Sequence, residues 1–253
     1  YYHRGGGKIS TISRAVVMLG IEPIKSLAAS LILFDHLQNK SQADQLMENA
    51  VVSLFSALLA NDIARGKNIK QHEEAFLCSL LQQLGKLLVR FYLHEESIAI
   101  DQQVASHGLE ESTAAIKVLG TSYHSLGMAV AREWGFPQQI INSMKPLTDE
   151  QLDSPSQQPD ALQVIANFSN EVSQALQHSD DNQANRFERI SQRYHKLLDM
   201  DSAKIHSLVR GSQDELTRFS ELINFKLSNS HFFQQLNSSQ PDQPAQAEAP
   251  GDD

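Results

Sequence analysis

Cysteine occurs once in this chain, as Cys78, so an internal disulfide, a CxxC redox pair and a cysteine-built zinc knuckle are excluded. That thiol stands among Phe76, Leu77 and Leu80, a setting for a buried, inert cysteine rather than a nucleophile. Clustered positive charge is missing too. Lys and Arg number 21 against 30 Asp and Glu, for a net charge of −9, and the cations are scattered. Nucleic-acid binding through phosphate contacts needs them gathered on one face. No run approaches the roughly 20 consecutive apolar residues of a membrane span. No basic segment followed by an apolar one marks a secretory leader. These absences lead to the expectation of a cytoplasmic protein with neither nucleic acid nor membrane among its partners. The chain opens on "YYHRGGGKIS" without a methionine, as a fragment would. Its "RGGGK" has neither P-loop spacing nor a preceding strand, so anion binding there through backbone N–H groups with Arg4 and Lys8 is disfavoured.

What is present is helix. Hydrophobic residues make up 41% of the 253, enough for a substantial core. "ISTISRAVVMLG" predicts a short helix closed by Gly20, and "EPIKSLAASLILFDHL" a second with Pro23 in its first turn. Ser41 and Asp44 start a longer pattern that runs to Ala64, before Gly66. Helices are expected over about 71–92, then in "HEESIAIDQQVASHG" and "EESTAAIKVLG", each stopped by glycine. "TSYHSLGMAVAREWG" follows with Thr121 as N-cap, Trp134 as a packing anchor at its end, and Pro137 opening another short helix. Residues 146–159 are a polar linker. Further helices are expected at 160–178, 184–199, 201–210 and 212–228. Their apolar stripes need a partner surface, so residues 160–235 are expected to close one bundle spanning 1–235. The last segment, 236–253, is too polar to fold and is expected to be disordered. The fold class is all-α.

Within "FLCSLLQQLGKLLVRFY" two adjacent amides, Gln82 and Gln83, interrupt an apolar helix pattern. This segment, "KISTISRAVVMLG" and "LGTSYHSLGMAVAREWGFP" together resemble the HDOD family, the HD-related output domains of bacterial signalling proteins. The resemblance runs from residue 1 to about 178, and Tyr1-Tyr2 resembles the end of a helical run that precedes this element in the family. In the fold's HD phosphohydrolase relatives, a His-Asp pair within an "LLHDIGKL" element helps bind a divalent cation, whose bound water attacks a phosphoester. The resemblance places Gln82 and Gln83 where that pair would stand, Val52 in place of an upstream histidine, and Leu147 and Thr148 in place of a later pair. Only His124 matches a histidine. Two neutral amides cannot supply the charge a hydrolytic cation requires, so no metal, no cofactor and no catalytic residue is expected. His124 is then either a remnant ligand or a hydrogen-bonded core residue, with the structural role favoured. His72-Glu73-Glu74 lacks the second histidine of HExxH, since Phe76 stands there. Lys86 and Arg90, one turn apart, are either solvated or poised for an anionic partner, with solvation favoured.

The resemblance implies a non-catalytic HDOD signalling and interaction module with a protein partner, an HD-like bundle with extra C-terminal helices. Two other functions stay open. One is a metal-dependent phosphohydrolase, which would need at least four converging ligands. The other is a nucleotide sensor, in which Val52, Ser53, Gln82, Gln83, Lys86 and His124 line a vestigial cleft for a small ligand.

Overall fold

The computed structural model describes residues 40–153, 159–177, 183–222, 227 and 230–238. The two helices expected before residue 38 and the "RGGGK" segment lie outside these residues, as does all of the expected tail beyond Ser238. Among the described residues there are twelve helices and no strand.

The first described helix, α1 (Lys40–Gly66), contacts described helices well beyond its neighbours in sequence. Val51, Phe55, Leu58, Leu59 and Ile63 recur at helical spacing and are all buried. They pack against α2 (His72–Leu81), α9 (Ala161–Leu176), α11 (Ser202–Leu222) and α12 (His231–Ser238). The segment Asp44–Gly66 is long and apolar enough to cross a bilayer, although 56% of its most apolar window is buried inside the protein. A search for unbroken apolar runs misses it because Ser53, Ser56 and Asn61 interrupt the run without lowering the mean hydropathy much.

The other long core helix is α9. Asp160 caps it, its carboxylate accepting the Leu162 N–H at 2.8 Å. Leu162, Ile165, Phe168, Val172 and Leu176 are buried, against α1, α2, α7 (Gln138–Ser143) and α10 (Gln183–Leu198). Phe168 meets Tyr194 of α10 edge-on at 5.4 Å, and Phe55 meets Phe232 of α12 at 5.3 Å.

A smaller cluster stands apart from this core: Val89, Ile100, Ala114 and Ala115. It joins α3 (Leu84–Tyr92), α4 (His94–His107), α5 (Glu111–Leu119) and α6 (Tyr123–Glu133). The glycine stops expected for α4 and α5 are Gly108 and Gly120, at φ of +60° and +70°. The cap of α6 is Ser122 rather than Thr121; its hydroxyl accepts the Ser125 N–H at 3.1 Å. Trp134 is not an anchor: it is 56% exposed, and Phe136 packs on the core instead.

Three further boundaries differ from expectation. The 146–159 linker contains a short helix, α8 (Asp149–Asp153), with 154–158 outside the described residues. Gly211 does not divide two helices: its φ is not positive, and α11 runs through it. The tail was expected from 236, yet α12 continues to Ser238 with Leu236 buried.

Helix α12 is fastened by a side chain that lies 183 residues earlier in the chain. The Glu48 carboxylate on α1 accepts the backbone N–H groups of His231 and Phe232 and the Ser230 hydroxyl, the last two at 3.2 and 3.1 Å. An acid at a helix N-terminus satisfies orphan donors and the positive end of the dipole. Glu48→Ala is expected to lower stability by about 1 kcal/mol, read from urea unfolding, with earlier proteolytic cleavage at α12. An unchanged unfolding midpoint would show the cap to be incidental.

At the α1–α11 contact, Asp62 accepts the Ser212 hydroxyl at 3.2 Å. Burial pushes its pKa up, outweighing that bond and the nearby Arg65 charge. Burial, then the Asp62 charge, also raises Glu215. A carboxyl whose folded pKa is raised costs nothing below its unfolded pKa, about 4. It destabilises increasingly as pH rises through the folded value. Asp62→Asn should therefore raise Tm at neutral pH, with the gain vanishing in acid. A Tm difference independent of pH would contradict this.

Candidate functional site

The helix expected over 71–92 is two helices, broken at the paired amides. α2 ends at Leu81, α3 begins at Leu84, and Gln82 and Gln83 form the turn between them. The backbone of Gln82 stays near helical, φ −58° and ψ −31°, while Gln83 moves to φ −89° and ψ 0°. Periodicity alone could not reveal this break, since the apolar spacing continues through it.

Both amides point inward. Gln82, 5% exposed, donates through Nε2 to the Ser143 carbonyl at the end of α7, at 3.0 Å. Gln83 donates to Asn170 Oδ1 on α9 at 3.1 Å. Asn170 in turn donates to the Ser79 carbonyl and hydroxyl at 3.1 and 3.0 Å and to the Ala166 carbonyl at 2.9 Å. Ser79 shares a 2.7 Å hydrogen bond with Ser56 of α1. A buried polar chain, Ser56–Ser79–Asn170–Gln83, therefore ties α1, α2 and α9 to the turn. Three residues down α9, Asn167 accepts the Leu147 N–H and donates to the Lys145 carbonyl, both at 3.1 Å. Ser56, Ser79, Ser143, Asn167 and Asn170 were not anticipated. The signal was available in "ANFSN", two asparagines three apart in an otherwise apolar helix, where each buried amide must find partners.

The other expected cleft residues are not joined to this chain by hydrogen bonds. Val52 belongs to the main core. Ser53 is buried and returns its hydroxyl to its own helix, donating to the Asn49 carbonyl at 2.7 Å. Lys86 is not solvated but paired, 2.7 Å from Glu111. Arg90 likewise forks onto Asp101 at 2.5 and 2.7 Å and reaches Glu111 at 3.2 Å and Ser97 at 2.8 Å. Burial opposes its charge, but these carboxylates prevail and hold its pKa above the ordinary value. His124 is half-buried, and burial lowers its pKa. Of the later pair, Leu147 is buried and Thr148 exposed.

Among the described residues no three His, Cys, Asp or Glu side chains gather where they could hold a cation. The donor set at the turn consists of neutral amides already engaged with protein oxygens, so it does not fit a hydrolytic divalent metal. Cys78 is buried completely, and burial pushes its thiol up to about 12, in keeping with an inert role.

The helices around this turn make an HD-like all-α bundle extended by C-terminal helices. The chain belongs to the HDOD domain family, whose family model matches residues 1–148, and which is related to the HD phosphohydrolases. The match ends before α8, short of the expected residue 178, so Asn167 and Asn170 lie beyond it. Among solved structures, the chain resembles an HDOD domain protein of unknown function from Geobacter sulfurreducens, with a TM-score of 0.57 and 19% identity, covering 87% of this chain and 77% of that one. It also resembles a protein from Shewanella amazonensis SB2B named, by inference, a phosphohydrolase. There the TM-score is 0.50 and the identity 17%, over 90% of this chain and 77% of that one. No curated protein matches significantly.

Proposed function

We propose that the protein is a non-catalytic HDOD module of bacterial signal transduction, cytoplasmic, acting by binding another signalling protein. The observation that carries this is the use made of Gln82 and Gln83. Both amides spend their donors on protein oxygens inside the bundle, Ser143 and Asn170. Positions that would serve a cation in an HD phosphohydrolase serve packing here. The six positions Val52, Ser53, Gln82, Gln83, Lys86 and His124 are then a vestigial cleft without chemistry. A nucleotide-sensing use of that cleft would require Lys86 to leave Glu111.

The name given to the Shewanella protein favours a second reading, an active phosphohydrolase. One experiment separates the two. Protein purified without chelator is analysed for metal and assayed for phosphodiesterase activity with added manganese. No stoichiometric metal and no turnover are expected. Near-stoichiometric metal lost on His124→Ala, together with turnover, would restore the enzyme.

A further inference from the structure

We infer that the basic edge of α10 is a docking surface for an acidic segment of a partner protein. The inference rests on reading the domain as an interaction module and names the chemistry it would bind.

Arg186, Arg189, Arg193 and Lys196 follow one another along α10 at intervals of three or four residues, one face of a helix in a protein of net charge −9. Two open grooves flank this face. The first, about 340 Å³, lies between α9 and α10 and is lined, among the described residues, by Arg186, Arg189, Arg193 and Glu171; Arg186 is itself engaged, donating to the Ala175 carbonyl at 3.1 Å. The second, about 420 Å³, lies between α8 and α10 and is lined by Arg189, Arg193, Asp149 and Asp153. None of the six vestigial positions lines either groove.

Part of this face already binds carboxylates. Arg193 is held by Glu171, by Asp149 at 2.7 Å and by the Leu147 carbonyl at 2.6 Å. Lys196 is held by Asp153 at 2.5 Å. Asp149 and Asp153, one turn apart on α8, thus rung onto Arg193 and Lys196 like a short ladder. Arg189, one turn earlier on α10, is exposed and has no hydrogen-bonding or ionic partner among the described residues, yet it lines both grooves. A further acidic segment would extend the ladder by a rung at Arg189. The Ala175 and Ile190 side chains in the first groove would take an apolar residue beside the acids. Shallow grooves on both sides of a helix suit a peptide, whereas a small-molecule site encloses its ligand.

The test uses the full chain and a short fluorescein-labelled peptide that carries glutamates at helical spacing beside leucines, with a glutamine counterpart. Saturable binding of the glutamate peptide alone is expected, weakening with added salt. Arg189→Glu should reduce the affinity about tenfold. Lys67→Glu, the same charge change at an exposed residue in the turn after α1, should reduce it little. No binding of the glutamate peptide, or equal losses in the two variants, would overturn the proposal. So would binding of pyrophosphate that depends on Arg189 in place of peptide binding, which would make the face a small-anion site. Failure here leaves the metal analysis untouched, and turnover in that assay would sink the signalling reading whatever the peptide does.

Discussion

Gly85→Ala should destabilise the protein by about 3 kcal/mol or more, at or beyond the upper end of ordinary overpacking penalties. The expectation reverses the usual sign, because alanine in a helix interior gains about 1 kcal/mol over glycine. At this position α3 crosses α6 backbone to backbone. A methyl on Gly85 would overlap the Tyr123 carbonyl oxygen and lie 2.7 Å from its carbon and 3.0 Å from the Gly127 nitrogen. No rotamer change relieves a clash with backbone, so the two helices would have to separate. Against a total stability of about 5–15 kcal/mol, the loss should show as a large drop in urea midpoint or in soluble yield. Gly66→Ala is the control, since a methyl there meets nothing within 4 Å. If both variants unfold at the wild-type midpoint, the close crossing does not exist in solution.

Asn170→Ala is expected to cost about 2–4 kcal/mol, combining a small cavity with polar groups left unpaired. Its amide serves Ser79 twice and accepts from Gln83, all in the interior. Gln83→Ala should cost less, because Asn170 keeps its bonds to Ser79 and Ala166 and Gln83 is only half-buried. A double-mutant cycle between the two should return a coupling of about 0.5–2 kcal/mol. Additive losses would mean that the amides do not communicate.

The all-helical class was legible because the apolar residues of α1 and α9 repeat at helical spacing, and Gly108 and Gly120 stop helices where their freedom is used. The break at Gln82–Gln83 was not, since it depends on where Ser143 and Asn170 sit, 61 and 87 residues further along. Reading Lys86 and Arg90 as solvated failed for the same reason. Their partners, Asp101 and Glu111, come from α4 and the start of α5, and charge spacing within α3 says nothing of them. The importance of Gln82 and Gln83 was visible from a resemblance; their hydrogen bonds were not. Trp134 shows the converse error: read as a packing anchor from its place at a helix end, it is 56% exposed.

Helix α1 also sets a problem of timing for the cell that makes this chain. Ribosomes deliver residues in order, so α1 emerges while α9, α11 and α12, which cover it, are still unsynthesised. The interval from Gly66 to Ala161 takes roughly 5–20 s at bacterial-to-eukaryotic elongation rates of about 5–20 residues per second. For at least that time a segment as apolar as a membrane anchor lacks its late-made cover. Nascent chains stalled between those points should crosslink to chaperones or to membrane-targeting factors through α1, and release them once α12 clears the exit tunnel.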